Sequence, residues 1–188
     1  MSSPIIVGIS GASGIAYGVR ALELLRDCAV ESHLVMSKAA RLTLHHEMDM
    51  PFDDVAALAT HVHPVTDVGA SIASGSFRTA GMLIAPCSVR TMSEIASGVT
   101  SSLLTRAADV VLKERRRLVL MVRETPLHTG HLRTLMHLSE MGAVVAPPVP
   151  AFYSRPETLD DVVTQSVGRA LDLFDLDVAQ VRRWDPDQ

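Results

Sequence analysis

Cysteine and aromatic residues are both scarce in this chain of 188 residues. Cys28 and Cys87 are its two cysteines, too few for a disulfide framework, so we expect free thiols and a reducing, cytoplasmic location. Phenylalanine, tryptophan and tyrosine together make up only 4% of the residues. The core must therefore be built from aliphatic side chains and methionine.

Two further absences narrow the class of protein. No apolar run approaches the roughly 20 residues that cross a bilayer. The apolar residues 4–10 have no basic segment before them and lead into a glycine turn, which predicts a buried strand and not a signal peptide. Basic residues are not in excess either, since 17 Lys and Arg against 21 Asp and Glu give a formal charge of −4. We therefore expect neither a membrane nor a nucleic acid as a partner.

Short apolar runs alternate with helical patterns along the chain. Unbroken apolar runs such as Ile5–Ile9 are typical of parallel strands covered on both faces. The pattern predicts strands at 5–9, 33–36, 82–85, 118–122 and 143–146, and helices at 19–25, 38–46, 103–116, 131–141 and 159–174, with a variable polar stretch over 48–79. We expect one α/β domain over 1–188, a doubly wound parallel sheet with an irregular tail from about residue 176. Ligands of such sheets bind at the carboxyl ends of the strands.

The first strand leads into a turn of glycine and serine at residues 8–14, with the sequence GISGASG. Its glycine spacing differs from the dinucleotide fingerprint G-x-G-x-x-G. Ser37-Lys38 stands where an NAD site has an acidic residue after the second strand, so NAD is disfavoured. Small residues let a ligand approach the backbone, and the following helix N-terminus favours an anion. The alternative is a tight turn with a serine N-cap.

A second small, hydroxyl-rich turn, PCSVRT at residues 86–91, follows the strand that begins at Met82. Ser88 can be a helix N-cap and nothing more. Two such turns after neighbouring strands can, however, hold the two ends of one mononucleotide. We therefore favour a nucleotide or flavin ligand.

A third group of candidate residues is cationic. Arg106 and Lys113 lie on a predicted helix, and Arg123-Glu124 directly follows a predicted strand. The helix dipole alone explains the basic residues at 115–117. Arg123 and Glu124 are instead expected at the ligand edge, because they follow a buried strand.

Histidine and cysteine suggest two further chemistries, and both are disfavoured. His61-x-His63 and His128-x-x-His131 are the possible metal-binding pairs, but neither has a third ligand at zinc-like spacing, so we expect no metal. Cys87 lacks an identifiable histidine partner for nucleophilic catalysis.

Seven motifs in order resemble those of the UbiX-type flavin prenyltransferases, also described as phenylacrylic acid decarboxylase-like flavoproteins. The resemblance extends from about residue 4 to about residue 175, and its motifs are GASG at 11–14, SKAA at 37–40, PCS at 86–88, TRAADV at 105–110, KERR at 113–116, RETP at 123–126 and PAFY at 150–153. It implies a Rossmann-like flavoprotein fold and a homo-oligomer, expected to be a dodecamer with its sites at subunit interfaces. The implied reaction joins the dimethylallyl group of dimethylallyl monophosphate to N5 and C6 of reduced FMN. Its product, prenylated FMN, would serve a UbiD-type decarboxylase.

The resemblance also implies roles for individual residues. FMN is expected to contact Gly11, Ala12, Ser13, Ser37, Ser88, Val89, Arg90, Thr91 and Arg123. The prenyl phosphate is expected to meet Lys113, Arg123, Tyr153, Arg169 and Trp184. The catalytic candidates are Ser13, Glu47, Arg106, Lys113 and Glu124. Cationic side chains would then neutralise the departing phosphate in place of a metal.

Two other functions stay open on the sequence. One is a flavin-dependent cysteine-type decarboxylase on the same fold, whose chemistry needs no cluster of phosphate-binding cations. The other is an FMN-binding subunit of a hydroxyarylic acid decarboxylase complex, which would be recovered with a large partner.

Overall fold

A parallel sheet of six strands organises residues 3–185, the part of the chain described by this computed structural model. The strands are β1 (Ile5–Ile9), β2 (Ser32–Met36), β3 (His61–His63), β4 (Gly81–Cys87), β5 (Arg117–Val122) and β6 (Val144–Val145). Their order in the sheet is β3-β2-β1-β4-β5-β6, so the direction of winding reverses between β1 and β4. The predicted α/β, doubly wound fold is confirmed. A topology of this kind forms a crevice for ligands at the carboxyl ends of β1 and β4.

Helices cover both faces of the sheet. They are α1 (Ile15–Asp27), α2 (Lys38–Glu47), α3 (Phe52–Leu58), α4 (Val89–Ala96), α5 (Leu103–Lys113), α6 (Thr129–Glu140) and α7 (Leu159–Asp172), with short 3₁₀ turns at Ser71–Ala73 and Phe152–Ser154. One core lies between the sheet and the helices α1, α2, α3 and α7, and a second lies between the sheet and α4, α5 and α6. Every residue of β1, β2 and β4 is buried, as expected for strands covered on both faces. Within residues 3–185 no helix is long and apolar enough to span a bilayer.

Three local predictions differ from the structure. The helix predicted to reach Arg116 ends at Lys113, because Arg115 takes a left-handed conformation with φ 56°. The helix α4 was not predicted beyond its possible N-cap, Ser88. The stretch 48–79, predicted as variable and polar, contains both α3 and β3. The residues of β3 are largely exposed, so they form no apolar run that would predict a strand.

The C-terminal tail packs against α7 although it contains no helix or strand up to Asp185. Val178 and Val181 are buried, and a Cβ on Gly168 of α7 would lie 2.2 Å from Val181 Cγ2. Only a glycine at this position allows the tail to approach the helix so closely. Residues 186–188 of the predicted tail lie outside the described residues.

Candidate active site

Ser10 joins the two hydroxyl-rich turns at the point where the winding of the sheet reverses. Its side chain is buried, its Oγ donates a hydrogen bond to Pro86 O at 2.8 Å, and the Ser88 N–H donates to the same Oγ at 2.8 Å. The Ser10 hydroxyl thereby satisfies both of its hydrogen-bonding roles and fixes the turn after β1 against the turn after β4. These are the two turns that sequence reasoning expected to share one ligand.

A cavity of about 540 Å³ opens beside these turns. This volume is within the range of small-molecule and cofactor sites. Five residues predicted to bind the flavin line it, namely Gly11, Ser37, Ser88, Arg90 and Thr91. The segment after β3 and the start of α5 contribute Val65, Thr66, Val68, Ser101, Ser102, Leu104 and Thr105, and Lys38, Ala39 and Glu94 complete the wall. The wall therefore combines hydroxyl groups and aliphatic side chains with the charged side chains of Lys38, Arg90 and Glu94.

Local geometry explains why small and hydroxyl-bearing residues occupy this wall. Ser37 Oγ accepts the Ala40 N–H at 3.0 Å and so caps α2, and Ser88 Oγ caps α4 through the Thr91 N–H at 3.2 Å. A Cβ on Gly11 would lie 2.5 Å from the Cβ of Ala39. Glycine at position 11 thus keeps the first turn in contact with α2 at the edge of the cavity.

The other predicted flavin contacts lie beside the cavity and not in its wall. Ala12 and Ser13 continue the first turn, and Ser13 is exposed. The side chain of Val89 is half-buried and packs against the second core.

The N-terminus of α1 is occupied by a carboxylate of the protein itself. The backbone N–H groups of Gly14 and Ile15 donate to Glu47 Oε2 at 2.8 and 3.0 Å. The N-cap is Gly14, with φ 100° and no side-chain cap, so the alternative of a serine N-cap on α1 is wrong. The helix end does attract an anion, as expected, but the anion here is Glu47 from the end of α2. A ligand phosphate must therefore bind elsewhere or displace this carboxylate.

The surroundings of Glu47 hold it in the ionised form. Partial burial acts to raise its pKa, but hydrogen bonds from the Ser13 side chain and from the backbone of Ile15 and Gly14, together with the charge of Arg123, outweigh that effect. The pKa of Glu47 consequently lies below its usual value. The structure therefore brings three of the predicted site residues together, with the Ser13 hydroxyl bonded to Glu47 and the Arg123 guanidinium acting on the same carboxylate.

Arg123 and Glu124 follow β5, as predicted, but they do not pair with each other. The Arg123 N–H donates to Cys87 O at 3.0 Å, which places the start of the RETP segment beside the turn after β4. Glu124 is exposed, and its Oε1 accepts the N–H of Thr125 at 2.9 Å. Among the ion pairs of residues 3–185 none joins Arg123 to Glu124. Both side chains are exposed, Arg123 close enough to act on Glu47 and Glu124 bonded to the backbone of Thr125.

A separate group of predicted residues lies around α7 and the tail. The Tyr153 and Trp184 rings meet edge to face at a centroid distance of 5.7 Å, and Gln165 Nε2 donates to Tyr153 Oη at 3.4 Å. Arg169 pairs with Asp172 and lines a cavity of about 140 Å³ next to the proline-rich segment 147–149. Tyr153 and Trp184 are thus in contact, and Arg169 lies on the same helix as Gln165.

Gln165 is a residue that sequence reasoning missed. Its side chain is buried, accepts the Arg182 N–H and donates to Arg182 O, each at 2.9 Å. It therefore determines where the tail passes α7 and, through it, where Trp184 lies against Tyr153. The signal in the sequence was a single polar residue on the buried face of a predicted helix.

Lys113 and Arg106 do not reach the cavity within one chain. The start of α5 lines the cavity, and Lys113 is the last residue of α5, about 15 Å further along the helix axis at 1.5 Å per residue. Lys113 pairs with its neighbour Glu114, and Arg106 pairs with Asp109 at 2.7 Å. The predicted role of Lys113 therefore requires a second copy of the chain or a rearrangement, whereas Arg106 directly follows the cavity-lining Thr105.

Cys87 is fully buried, and burial raises the pKa of its thiol far above the usual value. Its position and its protonated form agree with the expectation that it is no nucleophile.

A doubly wound sheet with a cavity between two hydroxyl-rich turns at its switch point defines a mononucleotide-binding α/β protein. The sequence profile of the Flavoprotein family matches residues 1–171. The chain therefore belongs to the flavoprotein family.

Relatives that match nearly the whole chain narrow this assignment. The chain is 59% identical over 180 residues to flavin prenyltransferase UbiX of Thauera aromatica, covering 96% of this chain and 93% of that protein. It superposes with a TM-score of 0.97 and 49% identity on the crystal structure of AnUbiX (PadA1) in complex with FMN and dimethylallyl pyrophosphate, over 98% of each chain. A dodecameric FMN-dependent Ubix-like decarboxylase from Escherichia coli O157:H7 gives a TM-score of 0.94 and 50% identity, over 97% of this chain and 99% of that one. Within the flavoprotein family, the chain belongs to the UbiX-type flavin prenyltransferases, which confirms the resemblance.

Proposed function

We propose that this protein joins the dimethylallyl group of dimethylallyl monophosphate to N5 and C6 of reduced FMN, producing prenylated FMN and inorganic phosphate. The observation that carries the proposal is the 59% identity to a flavin prenyltransferase over 96% of the chain. A likeness of this extent includes both hydroxyl-rich turns, the Arg123-Glu124 segment and the α7 region.

The residues at the sheet edge fit FMN. The cavity between the two turns has the size of a cofactor site, its wall offers hydroxyl groups to a ribityl phosphate, and Gly11 lets a ligand approach the backbone. In the proposed complex Gly11, Ala12, Ser13, Ser37, Ser88, Val89, Arg90, Thr91 and Arg123 contact the flavin. Reduced FMN supplies the electron-rich ring that accepts the prenyl group.

The prenyl phosphate is assigned to the residues around α7 and Arg123. Phosphate is a poor leaving group until its charge is neutralised, and guanidinium and ammonium groups can do this without a metal ion, while a phenol can donate a hydrogen bond. Arg123, Tyr153 and Arg169 are exposed in one chain and can take this role, with Trp184 covering the allyl group. Support comes from AnUbiX (PadA1), which was crystallised with both FMN and dimethylallyl pyrophosphate.

Proton transfer is assigned to Ser13, Glu47 and Glu124. Closing the new ring at C6 of the flavin requires loss of a proton from that carbon. Ser13 is already hydrogen-bonded to the ionised Glu47, so a proton taken up by the hydroxyl can pass to this carboxylate. Glu124 has no cationic partner among the described ion pairs and can donate to the departing phosphate oxygen.

Lys113 leads to an oligomeric site. In one chain the end of α5 is about 15 Å along the helix axis from the first turn, which lines the cavity, so we assign Lys113 at the prenyl phosphate to a second chain. Exposed apolar side chains on α6 and near the proline-rich segment, Leu132 at 53%, Met136 at 58% and Phe152 at 81%, supply surface for contacts between copies. The dodecameric relative from Escherichia coli supports a dodecamer with sites between subunits.

Three further assignments complete the proposal. Residues 1–188 form one flavoprotein domain with the tail as its last segment. A UbiD-type decarboxylase receives the product. The protein works in the cytoplasm, a location that agrees with its two unpaired cysteines, Cys28 and Cys87.

Release of inorganic phosphate tests the proposal. Dimethylallyl monophosphate should be consumed only when reduced FMN is present, and oxidised FMN should give no phosphate. Release independent of the flavin would overturn the proposal. A cysteine-type decarboxylase would instead release carbon dioxide from a cysteine-containing peptide, and a decarboxylase subunit would co-purify with a large partner.

A further inference from the structure

Three imidazole rings and one carboxylate meet where β2 pairs with β3. Parallel pairing places His33 opposite His61, and the ring of His63 stacks on that of His33 at a centroid distance of 5.2 Å. Glu31, just before β2, directs one carboxylate oxygen at both His33 Nε2 and His61 Nε2, each at 3.1 Å. The pair His61-x-His63 lacks a third ligand in the sequence because that ligand comes from the neighbouring strand.

Two of the three separations between ligand atoms match those of a metal centre. The ligand atoms of Glu31, His33 and His61 all lie within 4.8 Å of one another. Two ligands bound tetrahedrally at about 2.05 Å from a zinc ion are separated by about 3.3 Å, close to the two separations of 3.1 Å. Two histidines, one glutamate and a water form a ligand set that zinc accepts.

The surroundings of His33 orient its ring for this task. Without an ion, His33 Nε2 donates its hydrogen to Glu31 Oε1 at 3.1 Å, and an arriving zinc ion would take the place of that hydrogen. His33 Nδ1 lies 2.9 Å from His63 Nε2, so a neutral, zinc-bound His33 can donate its Nδ1 hydrogen to His63. A ligating histidine is usually held in this way through its second nitrogen. Phe77 packs edge-on against the ring at 5.1 Å and limits its rotation. The ring is therefore both oriented and shielded before any ion arrives.

We propose that Glu31, His33 and His61 bind one zinc ion, with His63 as the residue that positions His33 and a water at the fourth coordination position. The side chain of His33 is only 5% exposed, whereas those of Glu31 and His61 are 45% and 51% exposed, so an ion can enter from solvent.

The proposed site is separate from the flavin cavity and has a structural role. None of its ligands lines that cavity, and His33 is about 13 Å along β2 from Ser37 at 3.3 Å per residue. The strand β3 has three residues and lies at the edge of the sheet, where it pairs only with β2. An ion held by both strands would fasten this edge, because a ligand that binds only the folded protein stabilises it.

Calorimetric titration of the untagged, EDTA-treated protein with zinc chloride tests the proposal. The wild-type chain should bind one zinc ion per chain and unfold at a higher temperature with zinc than with EDTA. His61→Asn and Glu31→Gln should each weaken zinc binding at least tenfold, and His63→Ala about 10–100-fold through its effect on His33. Both ligand variants change exposed side chains, so their melting temperatures in EDTA should stay close to that of the wild type.

The matched control is His137→Asn. His137 also faces a carboxylate, with 3.8 Å between its Nδ1 and Glu140 Oε2, but it belongs to no cluster of three possible ligands among residues 3–185. Zinc affinity should be unchanged in this variant. The proposal is wrong if the wild type binds no zinc, or if His61→Asn and Glu31→Gln bind it as tightly as the wild type does.

Discussion

Glu47→Gln removes the negative charge that caps α1 but keeps an acceptor oxygen of nearly the same shape. Two backbone N–H groups donate to this carboxylate at 2.8 and 3.0 Å. Hydrogen bonds to a charged group contribute about 1.5–3 kcal/mol and those to a neutral group about 1 kcal/mol, and the helix dipole adds about 0.3–1 kcal/mol. Because Glu47 is exposed, we use the lower part of these ranges and expect a loss of about 1–2 kcal/mol in the free energy of unfolding at pH 7. For a chain of this size that lowers the melting temperature by about 2–8 °C.

The loss should depend on pH in a defined direction. The pKa of Glu47 is lowered in the folded protein relative to the usual value of about 4.3. Its contribution to stability is therefore fully present above that usual value and disappears as the pH falls through the lowered folded-state pKa. The difference in melting temperature between wild type and Glu47→Gln should be constant from pH 7 to pH 5 and should shrink as the pH approaches the folded-state value.

Thermal unfolding followed by circular dichroism at one protein concentration is the appropriate assay. Glu23→Gln is the matched control, since Glu23 lies on the same helix and pairs with Arg20 at 3.0 Å on the surface. A surface pair of this kind contributes about 0–1 kcal/mol. If the two variants lower the melting temperature equally, or if the Glu47→Gln difference is the same at pH 7 and at acidic pH, the charge of Glu47 does not stabilise α1.

Three further predictions concern the reaction. Tyr153→Phe and Arg169→Ala should raise the KM for dimethylallyl monophosphate and leave FMN affinity, measured by calorimetry, nearly unchanged; loss of FMN binding in both would show that these residues serve the other ligand. Glu124→Gln should lower kcat by about 10²–10⁴-fold without weakening FMN binding, since general acid catalysis contributes about this much. A wild-type rate of prenylated FMN formation in this variant would exclude Glu124 as the proton donor. Prenyl transfer should continue in excess EDTA, because cationic side chains neutralise the phosphate; activity that is lost with EDTA and restored by magnesium would contradict this.

The central strands could be predicted because each contains a run of consecutive apolar residues. Apart from the exposed Arg117 at the start of β5, every residue of β1, β2, β4 and β5 is buried. Strands that are buried on both faces need apolar side chains on both faces, and the sequence shows this as an unbroken apolar run. The strand β3 was not predicted, since its three residues lie at the sheet edge and two of them are exposed. The helix α3 was missed for a related reason, as only Val55 of its seven residues is buried.

The candidate site shows a similar division. Motif order indicated the residues of the two turns and the segment after β5, and the structure places five of the predicted flavin contacts in one cavity wall. The sequence does not reveal contacts between residues that are distant along the chain. Such contacts place Glu47 at the N-terminus of α1, Ser10 between the two turns and Gln165 against the tail. Lys113 is a different case, because within one chain it lies far from the cavity. Its predicted role at the prenyl phosphate depends on the assembly of several chains.

The flavin itself provides the most direct test of the central claim. The protein would be incubated anaerobically with reduced FMN and dimethylallyl monophosphate. The flavin would then be released from the protein and its mass measured by mass spectrometry. We expect prenylated FMN, heavier than FMN by one five-carbon prenyl unit, and we expect it only when protein, reduced FMN and dimethylallyl monophosphate are all present. Unmodified FMN after prolonged incubation with protein that demonstrably binds both ligands would contradict it.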